Sequence, residues 1–332
     1  MSPFDAQKSG VLDINTLFGE NVYLFPYARY AFLEALKKLK IRSVYLPSFI
    51  CRDMLAPLNS LAISYVFYEV NNSLCPILKD VKCDAILFIN YFGFSQSFTP
   101  FKNYKETYNA IILEDNAHGF LSRDLNGQFL GCRGDIGLLS IRKTIFLPNG
   151  GALIVNDESL LKNKFKSSDI KLTAEDHKYQ RKRKLKNYLF NKYIGIVVLV
   201  LRRLVRYLIS GDAIPLADPL SEKVLPTNKY LSPILSDRKL SLDVVSESKR
   251  RVAMYKTVEL YAEKFDIKPI YQLYSGVVPY EFSFIDHGNS ERFESYLVKR
   301  GYFMLSWPDL PDEVLSTCPE FYKKIKVVPF LW

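Results

Sequence analysis

The chain has 332 residues, of which 48% are apolar and 14% aromatic, so it can bury a substantial core and a disordered chain is excluded. Its formal net charge of +10 indicates affinity for anions, but it does not separate nucleic acid, acidic lipid and nucleotide-linked ligands. The five cysteines are irregularly spaced, with no CxxC pair and no zinc-type Cys/His cluster, which favours a reducing cytosol and predicts no metal site.

The first predicted element is a helix over Tyr30 to Leu39, where apolar residues recur at helical spacing. Ala28 and Arg29 lie at its start, and the free backbone N–H groups of a helix start can bind an anion. When this segment is taken alone, an ordinary amphipathic helix is the favoured interpretation.

Short apolar runs then alternate with turn or helix segments, which predicts an α/β fold with strands buried on both faces of a sheet. Ligands of open α/β sheets bind beyond the carboxyl ends of the strands, so we expect the residues that follow these runs to share one crevice. The runs are Ser43 to Leu46, Ala62 to Glu69, Ala85 to Asn90 and Ala110 to Leu113.

Asp115 ends the run AIILED and is followed by small residues and His118. An aspartate there could bind a protonated ring nitrogen of a cofactor, or it could simply cap a helix. His118 taken alone is more often a structural histidine.

Lys143 lies between two strand-like runs in GDIGLLSIRKTIFLPNGGALIVND, which spans Gly134 to Asp157. Ser140 precedes the lysine by three residues, and the pair Gly150-Gly151 follows it. Such a lysine is either a surface charge or an amine held for reaction with an aldehyde.

Pyridoxal phosphate (PLP) needs a lysine for its aldehyde, a carboxylate for its pyridine nitrogen, donors for its phosphate and a flat group against its ring. Lys143, Asp115, and the turn at Ala28 and Arg29 together with Ser140 meet the first three needs. The sequence therefore predicts a PLP site.

The order of segments resembles the DegT/StrS-like sugar aminotransferases, which have the fold type I architecture of PLP-dependent enzymes. The matching pieces are YARYAFLEAL, LPSFIC, ILEDNAHGF and the lysine segment, followed by SESKRRVAMY, GVVPYEFSF, RGYFMLSWP and KIKVVPF. The resemblance implies a large domain with a mostly parallel seven-stranded sheet between helices, and a smaller C-terminal α/β domain.

The resemblance also implies a role for each site residue. Lys143 would bind the cofactor and carry the proton, Asp115 would bind the pyridine nitrogen, and His118 would contact the phenolic oxygen or the face of the ring. The phosphate would be bound by Ser140, by the backbone around Ala28 and Arg29, and by Asn228 reaching the site of the neighbouring subunit.

The activity implied is the transfer of an amino group from an amino acid, with glutamate as the expected donor, to a nucleotide-linked keto-sugar. The expected setting is surface polysaccharide synthesis, such as that of O-antigen, by a cytoplasmic homodimer with no nucleic-acid partner. A PLP-dependent sugar dehydratase is less favoured, because in that variant histidine typically replaces the lysine that is present here as Lys143.

The chain departs from the family pattern at three places. The serine precedes the lysine by three residues instead of five, and Asn149 replaces an acidic residue before the glycine pair. Cys51 occupies the position of an aromatic residue that stacks on the cofactor, a role that Phe49, Tyr91 or Phe92 could take over. These departures keep a second hypothesis open, a non-catalytic PLP-fold protein that acts in binding or regulation.

We predict a large domain over residues 1–210, a crossing loop over 211–240 and a small domain over 241–332, which begins with a helix from Leu242 to Phe265. The large domain includes a basic, apolar helical segment at 180–210. Its uninterrupted apolar core, Ile194 to Leu201, is far shorter than the ~20 residues that span a bilayer. Residues 187–210 therefore either pack against protein or lie on an anionic membrane surface.

Overall fold

The computed structural model of the protein describes residue 8, residues 10–188, residues 197, 201 and 205, and residues 218–330. Most of the segment 187–210, to which we assigned a protein or membrane contact, lies outside these described residues. None of the helices within the described ranges combines the length and the apolar composition that crossing a bilayer requires.

The strands of the first part of the chain are short and mostly buried. In chain order, they are β1 (Leu12–Asp13), β2 (Val22–Phe25), β3 (Ser43–Pro47), β4 (Ser64–Val70), β5 (Pro76–Ile77), β6 (Ala85–Ile89), β7 (Ile111–Asn116), β8 (Ile136–Leu139) and β9 (Gly151–Val155).

Eight of these strands form one sheet in the order β2-β9-β8-β7-β6-β3-β4-β5. The five strands in its middle, β8 to β4 in that order, run parallel, whereas β9 and β5 are antiparallel to their neighbours. Every residue of β6, β8 and β9 is buried, as the continuous apolar runs predict. The fold class is confirmed, and the eighth strand is the two-residue edge strand β5, which is too short to leave a sequence pattern.

Helices cover the sheet and connect its strands. In chain order, they are α1 (Ile14–Phe18), α2 (Ala28–Lys38), α3 (Ala56–Ser60), α4 (Thr99–Tyr108), α5 (Ile141–Thr144) and α6 (Ala174–Tyr188). The helix predicted from Tyr30 begins two residues earlier, at Ala28, and packs Phe32 and Leu36 against the core. Its first residue therefore lies directly beside the carboxyl-end edge of the sheet.

A second, antiparallel sheet follows the long helix α7 (Val244–Glu263), which Asp243 caps by accepting a hydrogen bond from the Ser246 N–H. This sheet has the strand order β11 (Glu281–Ile285), β13 (Ile325–Pro329) and β12 (Leu305–Ser306). The remaining elements are β10 (Lys239–Leu240), which pairs with β1, and the helices α8 (Ser290–Val298), α9 (Asp312–Leu315) and α10 (Glu320–Lys324). The helix predicted from Leu242 to Phe265 is present as α7, while the ranges of the two domains and the crossing loop stay predictions.

Candidate active site

Lys143 lies on α5, the single helical turn that leads out of β8. The Lys143 N–H donates to the carbonyl of Ser140 over 3.0 Å, so both residues are fixed on the same turn. The shortened spacing between the serine and the lysine therefore leaves their side chains in one place, and both line the same cleft.

Gly150 and Gly151 hold this turn against the start of α2. The Gly150 N–H donates to the Pro26 carbonyl over 2.7 Å, and the Gly150 carbonyl accepts from the Arg142 N–H over 3.2 Å. A Cβ atom on Gly151 would lie 2.4 Å from the Tyr27 carbonyl carbon, closer than side-chain carbons ever approach backbone. The glycine pair thus lets the lysine turn and the α2 N-terminus meet.

Asp115 is the fifth residue of β7 and lies level with Ile89 of β6 and Leu138 of β8. Its Oδ1 accepts a hydrogen bond from the Ala117 N–H over 2.9 Å, and Oδ2 has no hydrogen-bond partner within the described part of the chain. Residues 117–120 form bends and a turn rather than a helix, so Asp115 is not a helix cap. Burial raises the pKa of this carboxyl, and the nearby Lys143 opposes that rise.

The neighbouring residues of the same motifs are structural. Glu114 points to the other face of β7, where it is fully buried and forms an ion pair of 2.9 Å with Arg133. Asp135 accepts from the Ile112 N–H over 2.8 Å and so fixes the start of β7. The alternation along a strand thus separates Glu114 from Asp115 and leaves only the latter in the cleft.

His118 contacts the lysine. Its Nε2 lies 3.1 Å from Lys143 Nζ, and its Nδ1 accepts a hydrogen bond from the Phe92 N–H over 3.3 Å. The imidazole stacks on Tyr280, with ring centroids 4.6 Å apart and an angle of 9° between the planes. Burial, followed by the charge of Lys143, lowers the pKa of His118 well below its usual value, so the ring is neutral at physiological pH.

The contact between His118 Nε2 and Lys143 Nζ fixes the position of the lysine amine in the cleft.

One cleft gathers six of the seven residues predicted from the sequence. They are Ala28, Arg29, Asp115, His118, Ser140 and Lys143. Their individual roles remain predictions, but their proximity is a property of the fold.

Asn228, the seventh residue, lies outside the cleft lining. Its side-chain amide donates to Glu175 over 2.8 Å, and Glu175 in turn accepts from the Tyr27 hydroxyl over 2.5 Å. Asn149 joins the same cluster through the Tyr230 carbonyl, which accepts from its amide over 3.2 Å. The role predicted for Asn228 concerns a second subunit and stays a prediction.

Trp307 and Arg142 are among the cleft residues that were not predicted. Trp307 enters the cleft from the C-terminal part of the chain, and Arg142 lies between Ser140 and Lys143. The segment RGYFMLSWP shows that Trp307 ends a strand-like run, but nothing in it indicates contact with residues near position 118. Arg142 adjoins the predicted lysine, which was the one available signal.

Cys51 lines the cleft as expected, whereas Phe49, Tyr91 and Phe92 are buried beside it and do not line it. Burial raises the pKa of the Cys51 thiol to about 12, with Lys143 opposing, so the side chain is a neutral thiol. Trp307 is an aromatic residue that does line the cleft, and its ring lies 5.3 Å from that of Phe49 and 5.4 Å from that of His118.

The residues of the cleft fit pyridoxal phosphate. Among the described residues, Asp115 Oδ2 has no hydrogen-bond partner and is available to a protonated ring nitrogen, and Lys143 forms no ion pair. Ser140 is buried, and its hydroxyl makes no hydrogen bond within that part of the chain. These groups supply the nucleophile, the counter-charge and one phosphate donor that the cofactor needs.

Residues 77–193 match the model of the DegT/DnrJ/EryC1/StrS aminotransferase family. This range contains Asp115, His118, Ser140 and Lys143. A search of curated proteins found no match to the chain.

Solved structures resemble the chain over nearly its whole length. The aminotransferase PseC of Helicobacter pylori, involved in pseudoaminic acid biosynthesis, has a TM-score of 0.62 at 15% identity, covering 95% of this chain and 83% of that one. A DegT/DnrJ/EryC1/StrS aminotransferase from Brucella abortus has a TM-score of 0.57 at 15% identity, covering 95% and 82%. A GDP-4-keto-6-deoxymannose-3-dehydratase, ColD, has a TM-score of 0.57 at 16% identity, covering 95% and 85%.

These structural likenesses establish the fold, and the predicted α/β architecture is confirmed. The predicted resemblance to the DegT/DnrJ/EryC1/StrS aminotransferase family is confirmed over residues 77–193, about a third of the chain, and this range includes the predicted lysine. The predicted cofactor, pyridoxal phosphate, is the cofactor of that family.

Proposed function

We propose that the protein transfers an amino group from an amino acid, with glutamate as the expected donor, to the keto group of a nucleotide-linked sugar. The observation that carries this proposal is the single cleft in which Lys143, His118, Asp115 and Ser140 meet, with Lys143 Nζ 3.1 Å from His118 Nε2. The family contributes the sugar, since a fold alone does not fix the substrate.

When bound, pyridoxal phosphate supplies an aldehyde that captures an amino group and a ring that stabilises negative charge beside it. Lys143 would hold the cofactor through Nζ and would serve as general acid and base. Asp115 would bind the ring nitrogen, where a positive charge would favour the ionised carboxylate. His118 orients Nζ, and its stacking on Tyr280 fixes the ring in place.

The cleft also suits an anionic substrate. Arg29, Arg142 and Lys143 line it together with Asp53 and Asp115, so its cations outnumber its carboxylates. Such a local excess of positive charge raises the encounter rate with a nucleotide diphosphate. The charge of the cleft favours a nucleotide diphosphate in general and does not select a particular sugar or carbon.

The test is spectroscopic. We expect the purified protein to show the visible absorbance of PLP attached to a lysine, and borohydride reduction to fix the cofactor to a peptide that contains Lys143. Lys143→Ala should abolish both signals and lower the transamination rate by at least about 10²-fold. If the absorbance is unchanged in Lys143→Ala, or if no cofactor becomes fixed to the wild-type protein, the proposal that this protein is a PLP-dependent enzyme is wrong.

A dehydratase is the second candidate, because the fold of ColD matches the chain equally well. The lysine of the α5 turn favours the aminotransferase over it. Incubation with a nucleotide-linked keto-sugar and glutamate separates the two, since only transamination forms 2-oxoglutarate in step with an amino sugar. A chain that binds PLP but performs neither reaction would be the non-catalytic protein.

We propose that the protein acts in the cytoplasm as a homodimer, in the synthesis of a surface polysaccharide such as O-antigen. Val197, Leu201 and Val205 are helical, recur at intervals of four residues and each expose about half of their surface (55%, 53% and 52%). This spacing supports a contact surface on one side of a helix. Flotation with anionic liposomes tests a membrane contact, and analytical ultracentrifugation tests the dimer.

A further inference from the structure

Arg142 is a cleft arginine without a counter-charge. Its guanidinium carbon lies 5.1 Å from the centroid of the Tyr27 ring. Its Nε is buried and has no hydrogen-bond partner, and no carboxylate of the described residues lies within ion-pairing distance of the guanidinium. The side chain therefore presents an unsatisfied cationic donor inside the candidate active site.

The other arginines in buried or cleft positions contrast with Arg142. Arg29 lies beside the same tyrosine ring, at 5.9 Å, but it pairs with Asp53 over 3.3 Å. Arg133 pairs with Glu114, and Arg250 and Arg251 both pair with Glu247. Each of these other arginines thus pairs with a carboxylate of the chain. Of the arginines compared, Arg142 is the one that is available to an external anion.

Leaving a buried charged donor without an acceptor is costly, and that cost is recovered when an anion accepts the hydrogen bond. Three sets of donors meet at this corner of the cleft. They are the Arg142 side chain, the Ser140 hydroxyl and the start of α2 at Ala28 and Arg29. The Gly150 carbonyl, which accepts from the Arg142 N–H, and the close approach of Gly151 to α2 bring these donors together. A phosphate group has enough acceptor oxygens for all three, and arginine matches its geometry.

We propose that the Arg142 guanidinium binds the phosphate group of pyridoxal phosphate, beside Ser140 and the N-terminal turn of α2. This assignment rests on the proposed function and adds a phosphate ligand within the shortened lysine turn. It also gives a physical reason for that turn, since the short segment Ser140-Ile141-Arg142-Lys143 places the hydroxyl, the cation and the amine on one helical turn.

The test compares PLP with pyridoxal, which lacks the phosphate. Protein stripped of cofactor is titrated with each compound, following the visible absorbance that forms on attachment to Lys143. We expect Arg142→Gln to weaken PLP binding about 10- to 100-fold and to leave pyridoxal binding within about threefold of the wild type. Arg142→Lys keeps the charge but loses Nε, so its PLP affinity should lie between that of the wild type and that of Arg142→Gln.

Arg123→Gln is the matched control. Arg123 also lies over an aromatic ring, that of Phe129 at 3.6 Å, but it does not line the cleft. We expect this variant to bind PLP like the wild type, and circular dichroism should show that all three variants are folded.

Two results would overturn the assignment while sparing the proposed function. One is unchanged PLP affinity in Arg142→Gln, and the other is an equal loss of affinity for PLP and pyridoxal, which would make Arg142 a structural support of the lysine turn. If the wild-type protein itself forms no absorbance band with PLP, the proposed function fails and the assignment fails with it.

Discussion

At the scale of single residues, the cleft is built from groups whose charge is set by burial. Asp115, His118 and Cys51 are each removed from water, and burial is the first cause of the shifted pKa in all three. The result is a site in which the histidine and the thiol are neutral, while Asp115 gains most from a positive partner. A ring nitrogen that carries a proton is such a partner.

Asp115→Asn should therefore impair catalysis without releasing the cofactor. Asparagine keeps the size of the side chain and can still accept from the Ala117 N–H, but it cannot hold a positive charge on the ring nitrogen. We expect the transamination rate to fall by about 10² or more, while PLP remains attached to Lys143. Steady-state kinetics and the visible spectrum of the same sample test this, and a variant with full activity would remove Asp115 from the mechanism.

Glu281 carries a pH-dependent stability. It is buried on β11, its Oε2 has no hydrogen-bond partner, and burial raises its pKa to about 8, with Lys143 and Arg251 opposing. Between the unfolded value of about 4.5 and the folded value, the folded state retains a proton that the unfolded chain has lost. The free energy of unfolding therefore falls as pH rises through this window, by about 1.4 kcal/mol per unit from this group.

Glu281→Gln isolates this contribution, because glutamine resembles the protonated acid at every pH. The two proteins should be nearly equally stable at pH 5, and the variant should become the more stable one as pH approaches 8. Urea unfolding across that range measures the difference. A constant difference between the two proteins at all pH values would show that Glu281 does not titrate in this window.

At the scale of elements, the site depends on the meeting of α2 with the α5 turn. Gly151→Ala should disturb this contact, because its new Cβ would meet the backbone of Tyr27 and Ala28 at 2.4–2.5 Å. We expect a loss of about 2–3 kcal/mol in the free energy of unfolding, together with weaker PLP binding. Thermal unfolding and PLP titration measure the two effects.

Gly127→Ala is the control for that change. Gly127 has φ +83° and no atom within 4 Å of the added Cβ, so alanine there costs only the backbone strain of about 1 kcal/mol. Its PLP affinity should equal that of the wild type. If Gly151→Ala also binds PLP normally, the glycine pair serves stability alone.

Sequence patterns predicted those parts of the site that local chemistry determines. The helix at α2, the strand ends at Asp115 and the lysine turn all follow from periodicity and from short motifs. Trp307 and Tyr280 could not be placed, because their contacts with His118 cross more than 150 residues and depend on how the second sheet packs on the first. The sequence also could not predict that Arg142 lacks a carboxylate partner, because the neighbours of a side chain depend on three-dimensional packing.

At the scale of the whole molecule, Arg52 connects the first sheet to the C-terminal part of the chain. Its guanidinium donates to the Leu310 carbonyl over 2.8 Å and pairs with Asp309 at 2.9 Å and Asp312 at 3.0 Å. It also lies 3.6 Å from Glu222, and its N–H donates to the Asp309 carbonyl. Arg52 directly follows Cys51, so this ion cluster adjoins the cleft and holds the segment that contains Trp307.

Arg52→Met should loosen this connection. It leaves three carboxylates facing one another, and two of them, Asp309 and Asp312, are partly exposed (39% and 65%). Water therefore screens part of the repulsion. We expect the free energy of unfolding to fall by about 2 kcal/mol, which is less than the roughly 3–5 kcal/mol lost when a fully buried ion pair is broken.

Tryptophan fluorescence can follow the unfolding of the C-terminal segment separately from the rest of the chain. The chain has two tryptophans, Trp307 and Trp332, and both belong to the C-terminal segment. Their fluorescence thus reports on that segment, whereas far-ultraviolet circular dichroism reports on the whole chain. We expect the two urea transitions to coincide in the wild type, and the fluorescence transition to come first in Arg52→Met.

Arg300→Met provides the comparison, because Arg300 packs on Tyr296 at 3.4 Å and, among the described residues, forms no hydrogen bond or ion pair with the first sheet. Its two transitions should move together. If they also move together in Arg52→Met, then the apolar contacts of Trp307 with Phe49, Phe92 and His118 suffice to couple the two sheets. The ion cluster would in that case contribute stability without contributing cooperativity.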